Sequence, residues 1–213
     1  MNSGGYRLRY LIVYGPTQEP LDPVRYLTNR STGTMGRLLA EAAEKRGHKV
    51  TRVECPTHVR TARELLAKLR SLIDHQDVLI MAAAVCDVRP ALYTGSKIKK
   101  AELSTVKFVK NPDILKELSI KKSKSQIFVG FALESIKLAE GAHNKLRSKK
   151  LDLIVAQKVS KNIDPFGNKP LDALLITAAG QKQAHPRISK AALAQIVIRK
   201  SESLALENPS ENA

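Results

Sequence analysis

The sequence has little of what base-stacking and redox proteins depend on. It contains no tryptophan, 4% aromatic residues and two cysteines, Cys55 and Cys86, in 213 residues. So few aromatic rings argue against a surface on which nucleic-acid bases stack. The two cysteines have neither CxxC spacing nor partner histidines, so the sequence indicates neither a disulfide framework nor a zinc site. A reducing cytosol fits this pattern.

Long apolar runs are also missing. The apolar run at 10–13 ends in Gly-Pro and is too short to span a membrane, and no signal-peptide cleavage pattern follows it. The length and the 43% hydrophobic content are enough for a real core. We therefore expect a soluble, cytoplasmic protein with no membrane partner. We expect one domain over residues 1–206 and a disordered tail at 207–213.

Negative charge is scarce relative to positive charge. Thirty-six lysine and arginine residues against 20 aspartate and glutamate residues give a net charge of +16. An excess of this size implies anionic partners. The lysines form short clusters at 97–100, 121–124 and 147–150, rather than one tail or one basic helix. This distribution favours phosphorylated small molecules and makes nucleic acid an unlikely partner.

Residues 15–36 join the first apolar run to a helical pattern through a segment rich in Gly, Thr, Ser and Asn. Unpaired backbone N–H groups and the positive end of the helix dipole suit such a junction to a phosphate. The GxGxxG spacing is absent, and the segment carries Glu19, Asp22, Arg25 and Asn29. We therefore expect it to hold more than a pyrophosphate. The alternative is a turn that only starts a helix.

The rest of the chain alternates between apolar strands and amphipathic helices. Strands are predicted at 10–13, 48–53, 78–85, 127–133, 151–156 and 171–178. This order predicts an α/β fold with a three-layer, Rossmann-like, mostly parallel sheet. Residues 86–110 interrupt the alternation and predict a projecting β-arm. Because ligands bind at the carboxyl ends of parallel strands, segments 15–36, 82–90, 131–135 and 156–159 should converge on one cleft.

Helix periodicity and capping patterns predict the helices in more detail. A helix from Met35 ends at Gly47, and a second begins after a capping box formed by Thr61 and Glu64. A third has Asn111 as N-cap and Pro112 at its first position. The residues predicted to face inward are Ala62, Leu65, Leu66, Leu69 and Ile73 in the second helix, Ile136, Ala139, Ala142 and Leu146 in the fourth, and Ala192, Leu193, Ile196 and Val197 in the last.

Six motifs occur in a fixed order: GPTQEPLDPVRYLTNRSTGTMG, AAAVCDVRP, KIKK, KNPDIL, VGFALES and KLRSKKLDLIVA. In this order they resemble the phosphopantothenoylcysteine synthetases, the synthetase half of the DNA/pantothenate metabolism flavoprotein family, over roughly residues 8–200. The resemblance implies a phosphopantothenate–cysteine ligase of coenzyme A biosynthesis. In the bacterial form, CTP with Mg²⁺ activates 4′-phosphopantothenate as an acyl-cytidylate, L-cysteine reacts with it, and pyrophosphate and CMP leave.

The resemblance also implies roles for individual residues. Lys97 would help to form the acyl-nucleotide, and Asn29 would position it for the cysteine amine. The implied nucleotide contacts are Gly15, Ala82, Ala83, Ala84, Asp87, Lys97, Asn111, Pro112, Asp113, Ile114, Phe131, Lys145 and Lys149, and the implied substrate contacts are Arg25, Asn29, Ser31 and Gly33. No protein-held metal is implied. The alternatives to these functional roles are structural. Lys97 would lie in a solvated loop, Asn29 would cap a turn, the alanines would allow tight strand packing, and Lys145 and Lys149 would lie on a solvated helix face.

The chain departs from the family pattern at several positions. Thr34 replaces the usual basic residue of the phosphate loop, and Gln157 stands where asparagine is common. The sequence starts directly at the synthetase, so we expect no bound flavin and a separate decarboxylase. The resemblance also implies a homodimer in which the arms of the two subunits cross.

Two other functions fit parts of the sequence. The strand and helix order alone allows an NAD(P)-dependent oxidoreductase, but the GxGxxG loop and an acidic residue suitably placed after the second strand are missing. The net charge and Thr34 fit a catalytically inactive homologue that binds nucleic acid. Intact Asn29, Asp87 and Lys97 favour the ligase.

Overall fold

The fold is built on strands and helices that alternate along most of the chain. The structure is a computed structural model that describes residues 7–134, 136–159, 165–167 and 169–208. Its strands are β1 (Arg9–Pro16), β2 (Gln18–Pro20), β3 (Tyr26–Thr28), β4 (Lys49–Glu54), β5 (Val78–Ala84), β6 (Val88–Pro90), β7 (Phe108–Lys110), β8 (Ile127–Glu134), β9 (Leu153–Lys158), β10 (Leu171–Thr177) and β11 (Lys182–Ile188). Its helices are α1 (Thr34–Lys45), α2 (Ala62–Arg70), α3 (Ile114–Ser119), α4 (Leu138–Ser148) and α5 (Lys190–Glu207).

Seven strands form one sheet in the order β11-β10-β9-β8-β5-β1-β4. Neighbours from β4 to β9 are parallel, whereas β10 and β11 pair antiparallel. The mostly parallel α/β sheet predicted from the sequence is therefore confirmed. The chain leaves β1 towards β4 on one side and returns to β5 on the other side of β1. The switch point thus lies between β1 and β5, where open α/β sheets bind ligands.

The two faces of the sheet are covered by different helices. Tyr10, Ile12 and Tyr14 of β1 face a core shared with α1 and α5. Leu11 and Val13 face the opposite core, which α2, α3 and α4 cover. Successive side chains of a strand point to opposite faces, so continuous apolar strands such as β1 and β5 need helices on both sides. The apolar area that both cores remove from water stabilises the three layers.

Helix α5 runs along one face of the sheet, from the carboxyl ends of the parallel strands to their amino ends. Because β11 is antiparallel to β10, and β10 to β9, β11 ends at the carboxyl edge of the parallel strands. Helix α5 begins there at Lys190 and reaches the amino edge, where the Tyr10 hydroxyl lies 3.0 Å from Ser201 Oγ. At the same edge Glu202 contacts both Arg46 and His48, with 2.6 Å between Glu202 Oε1 and His48 Nε2. These contacts fix the direction of α5.

Two predicted helix starts were wrong. Asp113, not Asn111, caps α3, because the Asp113 side chain accepts a hydrogen bond from the backbone N–H of Lys116. The Asn111 side chain instead donates to the Cys86 carbonyl at 2.9 Å. Helix α4 begins at Leu138, and Ile136 is 77% exposed instead of facing inward. The capping box of Thr61 and Glu64 is confirmed at α2, although Ile73 lies in the 3-10 turn that follows that helix.

The last two elements also differ from the sequence prediction. Strand β11 was missed because its KQAHPRI sequence is polar and mostly exposed, as an edge strand can be. In α5 the inward residues include Leu193, Ala194, Val197 and Ile198, whereas Ala192 and Ile196 are only partly buried. The helix includes Glu207, which was assigned to the disordered tail, and residues 209–213 lie outside the described part of the chain. None of the described helices is long and apolar enough to cross a membrane.

Helix α1 approaches β1 unusually closely at Gly36. A Cβ atom on Gly36 would lie 2.0 Å from Tyr14 Cβ, which is far inside van der Waals contact. Only glycine therefore allows the first turn of α1 to lie directly over the carboxyl end of β1. This contact sets the position of the helix N-terminus.

We predict that Gly36→Ala destabilises the fold by about 1–3 kcal/mol, because the added methyl must displace α1 from β1. The free energy of unfolding from chemical denaturation measures this. Gly95→Ala is the matched control, since a Cβ atom added at Gly95 would meet nothing within 4 Å beyond its chain neighbours. Equal stabilities for the two variants would contradict the close contact.

Candidate active site

A cavity of about 640 Å³ opens at the carboxyl edge of the sheet, beside the switch point. Several parts of the chain meet there, including the loop before α1, the end of β5, the start of α3, the ends of β8 and β9, the C-terminal end of α4 and the start of α5. The lining residues include Asn29, Arg30, Ser31, Thr32, Gly33, Thr34, Met35, Gly36, Ala82, Ala83, Ala84, Asp87, Asn111, Pro112, Asp113, Ile114, Phe131, Lys145, Lys149, Gln157, Phe166 and Lys190. Its volume is suitable for a ligand of nucleotide size.

The loop before α1 presents polar atoms and an open helix end to the cavity. Gly33 precedes α1, and no side chain of the described residues caps the first turn of that helix. Ser31 Oγ accepts a hydrogen bond from the Gly33 N–H at 3.3 Å, and the Thr32 and Thr34 hydroxyls lie 2.9 Å apart. Backbone N–H groups of a first turn and hydroxyl groups are donors that suit a phosphate.

The same loop is tied to the end of β5 by hydrogen bonds. Asn29 Nδ2 donates to the carbonyls of Ala84 at 3.2 Å and Val85 at 3.1 Å. Thr17, after β1, accepts the Cys86 N–H through its hydroxyl at 2.9 Å. Because these bonds use the Asn29 amide nitrogen, the orientation of that side chain at the cavity wall is fixed.

Asp87 and the start of α3 form the opposite wall. The Asn111 N–H donates to the Asp87 carbonyl at 2.9 Å. Together with the bond from the Asn111 side chain to Cys86, this contact holds the segment after β5 against the segment before α3. The Asp87 carboxylate is exposed and lines the cavity.

Two lysines at the C-terminal end of α4, Lys145 in its last turn and Lys149 directly after it, reach the cavity as ion pairs. Lys145 Nζ lies 2.7 Å from Glu134 Oε1, and Lys149 Nζ lies 3.0 Å from Asp113 Oδ2. Both ammonium groups are partly exposed, so these pairs contribute little to stability. They hold two positive charges beside the cavity, where an anionic ligand can exchange with the carboxylates.

The sheet edge divides the cavity into two halves. Met35, Ala82 and Phe131 pack against the core shared with α1 and α5, so they belong to what we name the α1/α5 half. Ile114 and Leu115 belong to the core beneath α3 and α4, and with Lys145 and Lys149 they form the α3/α4 half. The site can therefore hold two charged groups on opposite sides of the strand ends.

The two cysteines are not suited to nucleophilic chemistry. Burial raises the pKa of the Cys55 thiol to about 12. Burial also raises the pKa of Cys86, although a hydrogen bond to Thr17 opposes this effect. Since the thiolate is the nucleophile, both side chains are inert at neutral pH.

Most residues named from the sequence lie at this cavity. These are Asn29, Ser31, Gly33, Ala82, Ala83, Ala84, Asp87, Asn111, Pro112, Asp113, Ile114, Phe131, Lys145 and Lys149. Their roles as nucleotide or substrate contacts stay predictions. Segment 156–159 also reaches the site through Gln157, whereas Ser135, predicted at the end of β8, lies outside the described residues.

Three named residues, Gly15, Arg25 and Lys97, are not among those that line the cavity of a single chain. Gly15 has a structural explanation, because its φ is +83° and a Cβ there would lie 2.0 Å from the Cys55 carbonyl oxygen. Arg25 forms an ion pair with Asp22 and donates to the Ile98 carbonyl at 2.7 Å. Lys97 is exposed on the arm.

Asp22 anchors the arm to the loop after β1. The residue is 3% exposed, and its carboxylate accepts hydrogen bonds from the N–H groups of Val24 at 2.8 Å and Ile98 at 3.1 Å. The Arg25 side chain outweighs the effect of burial and, with these backbone donors, holds the pKa of Asp22 well below its usual range. The stabilisation is therefore complete above the ordinary aspartate pKa and is lost as the pH falls towards the lowered value.

Sequence reasoning missed Lys190 and Phe166 at the cavity and did not name Arg30 or Gln157 as site residues. Lys190 could have been found by extending the inward positions of α5 back by three residues from Leu193. Arg30 lies 6.0 Å from the Phe166 ring centroid, a contact between distant segments for which the sequence gives no signal.

We predict that Asp22→Asn releases the arm while α/β packing persists. Amide hydrogen exchange at Ile98 should become about tenfold faster or more, because a charged acceptor is lost. In the unaltered protein the same loss of protection, corrected for intrinsic exchange, should appear only in acid. Asp172→Asn, which removes a carboxylate that accepts the Arg187 N–H, is the control. Unchanged Ile98 protection in Asp22→Asn would refute the anchor.

Comparison with known proteins gives consistent matches. A family model described as DNA/pantothenate metabolism flavoprotein C-terminal domain matches residues 7–204. The coenzyme A biosynthesis bifunctional protein CoaBC of Vibrio vulnificus (strain YJ016) is 38% identical over 208 residues, which cover 91% of this chain and 52% of the relative. CoaBC of Bacillus subtilis (strain 168) is 38% identical over 193 residues, covering 84% and 47%. The chain spans about half the length of the curated relatives it matches.

Solved structures agree with these matches. The crystal structure of the C-terminal domain of a CoaBC protein has a TM-score of 0.78 and 30% identity, and the match covers 95% of this chain and 97% of that one.

Proposed function

Since the chain belongs to the DNA/pantothenate metabolism flavoprotein C-terminal domain family, we propose that it is a phosphopantothenate–cysteine ligase of coenzyme A biosynthesis. The observation that carries the proposal is the convergence of five of the six sequence motifs on one cavity at the switch point. The similarity to the CoaBC C-terminal domain over nearly the whole of both chains supports it. CTP, 4′-phosphopantothenate and L-cysteine are the proposed substrates.

The proposed reaction has two steps. In the first, a carboxylate oxygen of 4′-phosphopantothenate attacks the α-phosphorus of CTP, and pyrophosphate leaves with the electron pair of the broken P–O bond. In the second, the amine of L-cysteine attacks the acyl carbon of the acyl-cytidylate. The C–O bond breaks, CMP leaves, and the amine loses its proton as the amide forms.

The charges of the site support this chemistry. The first step develops negative charge on phosphoryl oxygens, which N–H donors and fixed cations stabilise. The open first turn of α1 supplies donors, and Lys145 and Lys149 supply cations in the α3/α4 half. Asn29 lies between the halves with its amide fixed by the end of β5, and we propose that it positions the acyl-cytidylate.

Mg²⁺ would enter with the nucleotide and would neutralise phosphate charge there. The described residues contain no cluster of three histidine, cysteine, aspartate or glutamate side chains that could hold a metal. The donors present still fit Mg²⁺, which is often bound through one or two carboxylates and substrate phosphates. Asp87 is the cavity carboxylate that would hold it. No flavin takes part in the proposed scheme.

Lys97 requires a second subunit in this proposal. The arm carries exposed apolar side chains, including Leu92 at 81%, Tyr93 at 57% and Phe108 at 48% exposure. Lys97 does not line the cavity of its own chain. We propose a homodimer in which crossing arms bury these side chains and bring Lys97 to the partner's cavity.

The nucleic-acid alternative remains in the tests below because of the +16 charge and Thr34. The oxidoreductase alternative loses its basis, because the family match accounts for the α/β fold that allowed it.

The experiment that tests the proposal is pyrophosphate release by the purified chain with CTP, Mg²⁺ and 4′-phosphopantothenate, before and after L-cysteine is added. We expect at most one equivalent of pyrophosphate per site without cysteine, and continuous release with it. ATP in place of CTP tests the nucleotide. Release that does not depend on 4′-phosphopantothenate, or no release at all, would overturn the proposal.

We predict that Lys97→Gln slows pyrophosphate release by about a hundredfold or more, because a cation directed at the transition state is lost. Lys121→Gln, an exposed lysine outside the cavity, should leave release unchanged. On a general phosphate-binding surface each lysine would only change the salt dependence of binding by about one unit of slope. Equal effects of the two substitutions would make Lys97 an ordinary surface lysine.

We also predict that two inactive variants restore each other. If Lys97 and Asn29 of one site come from different subunits, refolding Lys97→Gln with Asn29→Asp in equal amounts creates heterodimers with one intact site. Roughly a quarter of the unaltered activity should return by random pairing. Sedimentation checks that the mixture is dimeric. No recovery in a dimeric mixture would show that the two residues serve the same chain's cavity.

A further inference from the structure

A second tie holds the loop before α1 from the side of β4. Asn29 joins the start of this loop to the end of β5. Arg37, in α1, joins the other end of the loop to β4. Its Nη1 atom lies 3.0 Å from Glu54 Oε1, and its Nη2 atom donates to the Thr32 carbonyl at 2.8 Å. Residues 30–34 are therefore held against the sheet at both ends.

The Arg37 guanidinium packs directly against the loop. A Cβ atom on Gly33 would lie 3.1 Å from Arg37 Nη1, and Arg37 Nη2 lies 3.5 Å from the Thr34 hydroxyl oxygen. Thr32, Gly33 and Thr34 line the cavity, whereas Arg37 is not among the lining residues. The Arg37 side chain therefore touches the loop from the side away from the cavity, which leaves the cavity side of the loop to a ligand.

Glu54 fixes the direction of the Arg37 side chain. Glu54 is the last residue of β4, and its carboxylate also accepts a hydrogen bond from the Tyr14 hydroxyl at 3.4 Å. Because a guanidinium is planar and rigid, directing Nη1 at Glu54 also directs Nη2 at the Thr32 carbonyl. The carboxylate offsets the charge of Arg37, so the pair acts on the loop mainly through its geometry.

We propose that Arg37 is a positioning residue of the active site, which holds loop segment 32–34 so that its cavity side binds a phosphoryl group of a substrate. This inference rests on the proposed function for the identity of the ligand. Arg37 acts through the loop and does not touch the ligand. A loop that is fixed before the ligand arrives loses less conformational entropy on binding, and this raises the affinity.

The phosphoryl group can come from 4′-phosphopantothenate or from CTP. Calorimetric titration with each compound in the absence of the other distinguishes the two sources without turnover. We expect Arg37→Met to weaken the binding of one of them by about tenfold, as for the loss of one or two hydrogen bonds. Arg37→Lys keeps the charge but lacks the planar fork, so it should recover only part of the affinity.

A double variant tests whether repulsion by an unpaired Glu54 causes the loss. Arg37→Met combined with Glu54→Gln leaves no unpaired carboxylate beside the loop. We expect this double variant to bind as weakly as Arg37→Met. Full recovery of affinity in the double variant would contradict a positioning role.

Arg52→Met is the matched control for the ion pair itself. Arg52 also joins β4 to α1, with its Nη2 atom 2.6 Å from Glu44 Oε2, but Glu44 lies near the end of α1, away from the loop. Both arginine pairs are partly exposed and contribute little to stability, so the free energy of unfolding should fall slightly and similarly in both variants. Only Arg37→Met should weaken ligand binding.

Steady-state kinetics gives a second readout of the source. If segment 32–34 binds the phosphate of 4′-phosphopantothenate, Arg37→Met should raise the KM for that substrate while kcat stays within about twofold, because this phosphate does not react. If the segment binds the triphosphate of CTP, kcat for pyrophosphate release should fall as well, because charge develops there in the transition state.

The results separate the Arg37 assignment from the proposed function. Unaltered affinity for both ligands in Arg37→Met would overturn the assignment, and so would equal losses in Arg37→Met and Arg52→Met or no binding by the unaltered chain. If Arg37→Met weakens binding but the unaltered chain forms no product, the proposed function fails while the assignment stands. If the chain ligates and Arg37→Met binds normally, only the assignment fails.

Discussion

The site depends on the hydrogen bonds that join the segment between β1 and α1 to the end of β5. Asn29 donates to the carbonyls of Ala84 and Val85, and Thr17 accepts the Cys86 N–H. These bonds cross the switch point, where the sheet topology leaves a cleft. They place the open end of α1 on one side of the cleft and Asp87 on the other. Because Asn29 makes two of them, its side chain is both a structural tie and the group proposed to position the acyl-cytidylate.

Positive charge surrounds this tie on both sides of the cavity. Lys145 and Lys149 pair with Glu134 and Asp113, so their ammonium groups are held beside the cavity in the absence of a ligand. Lys190, the buried first residue of α5, also lines the cavity. The proposed reaction would bring a triphosphate and a phosphorylated acid into one cavity, where cations on both sides of the sheet edge would reduce the repulsion between them.

The sequence predicted the parallel sheet, the cleft and most of its wall, because apolar runs, caps and strand ends are local signals. It failed where tertiary contacts decide. Asn111 has the properties of an N-cap, yet its side chain is used to hold Cys86, and Asp113 caps α3. Strand β11 was missed because it lies at the edge of the sheet and its sequence is polar, without the apolar run that identifies a buried strand. The sequence also carried no sign that Arg25 pairs with Asp22, a contact that depends on how the arm folds back, and the substrate role of Arg25 stays a prediction. Lys190 lies 161 positions after Asn29 along the numbered sequence, so only the fold brings them to one cavity.

The central claim is that this cavity forms an acyl-cytidylate, and an isotope experiment tests it most directly. 4′-Phosphopantothenate labelled with ¹⁸O in both carboxylate oxygens is converted with CTP, Mg²⁺ and L-cysteine, and the products are analysed by mass spectrometry. The account predicts one ¹⁸O atom in each CMP, because the carboxylate oxygen that attacked the α-phosphorus leaves with the nucleotide. Unlabelled CMP, or ¹⁸O in pyrophosphate or orthophosphate, would contradict it.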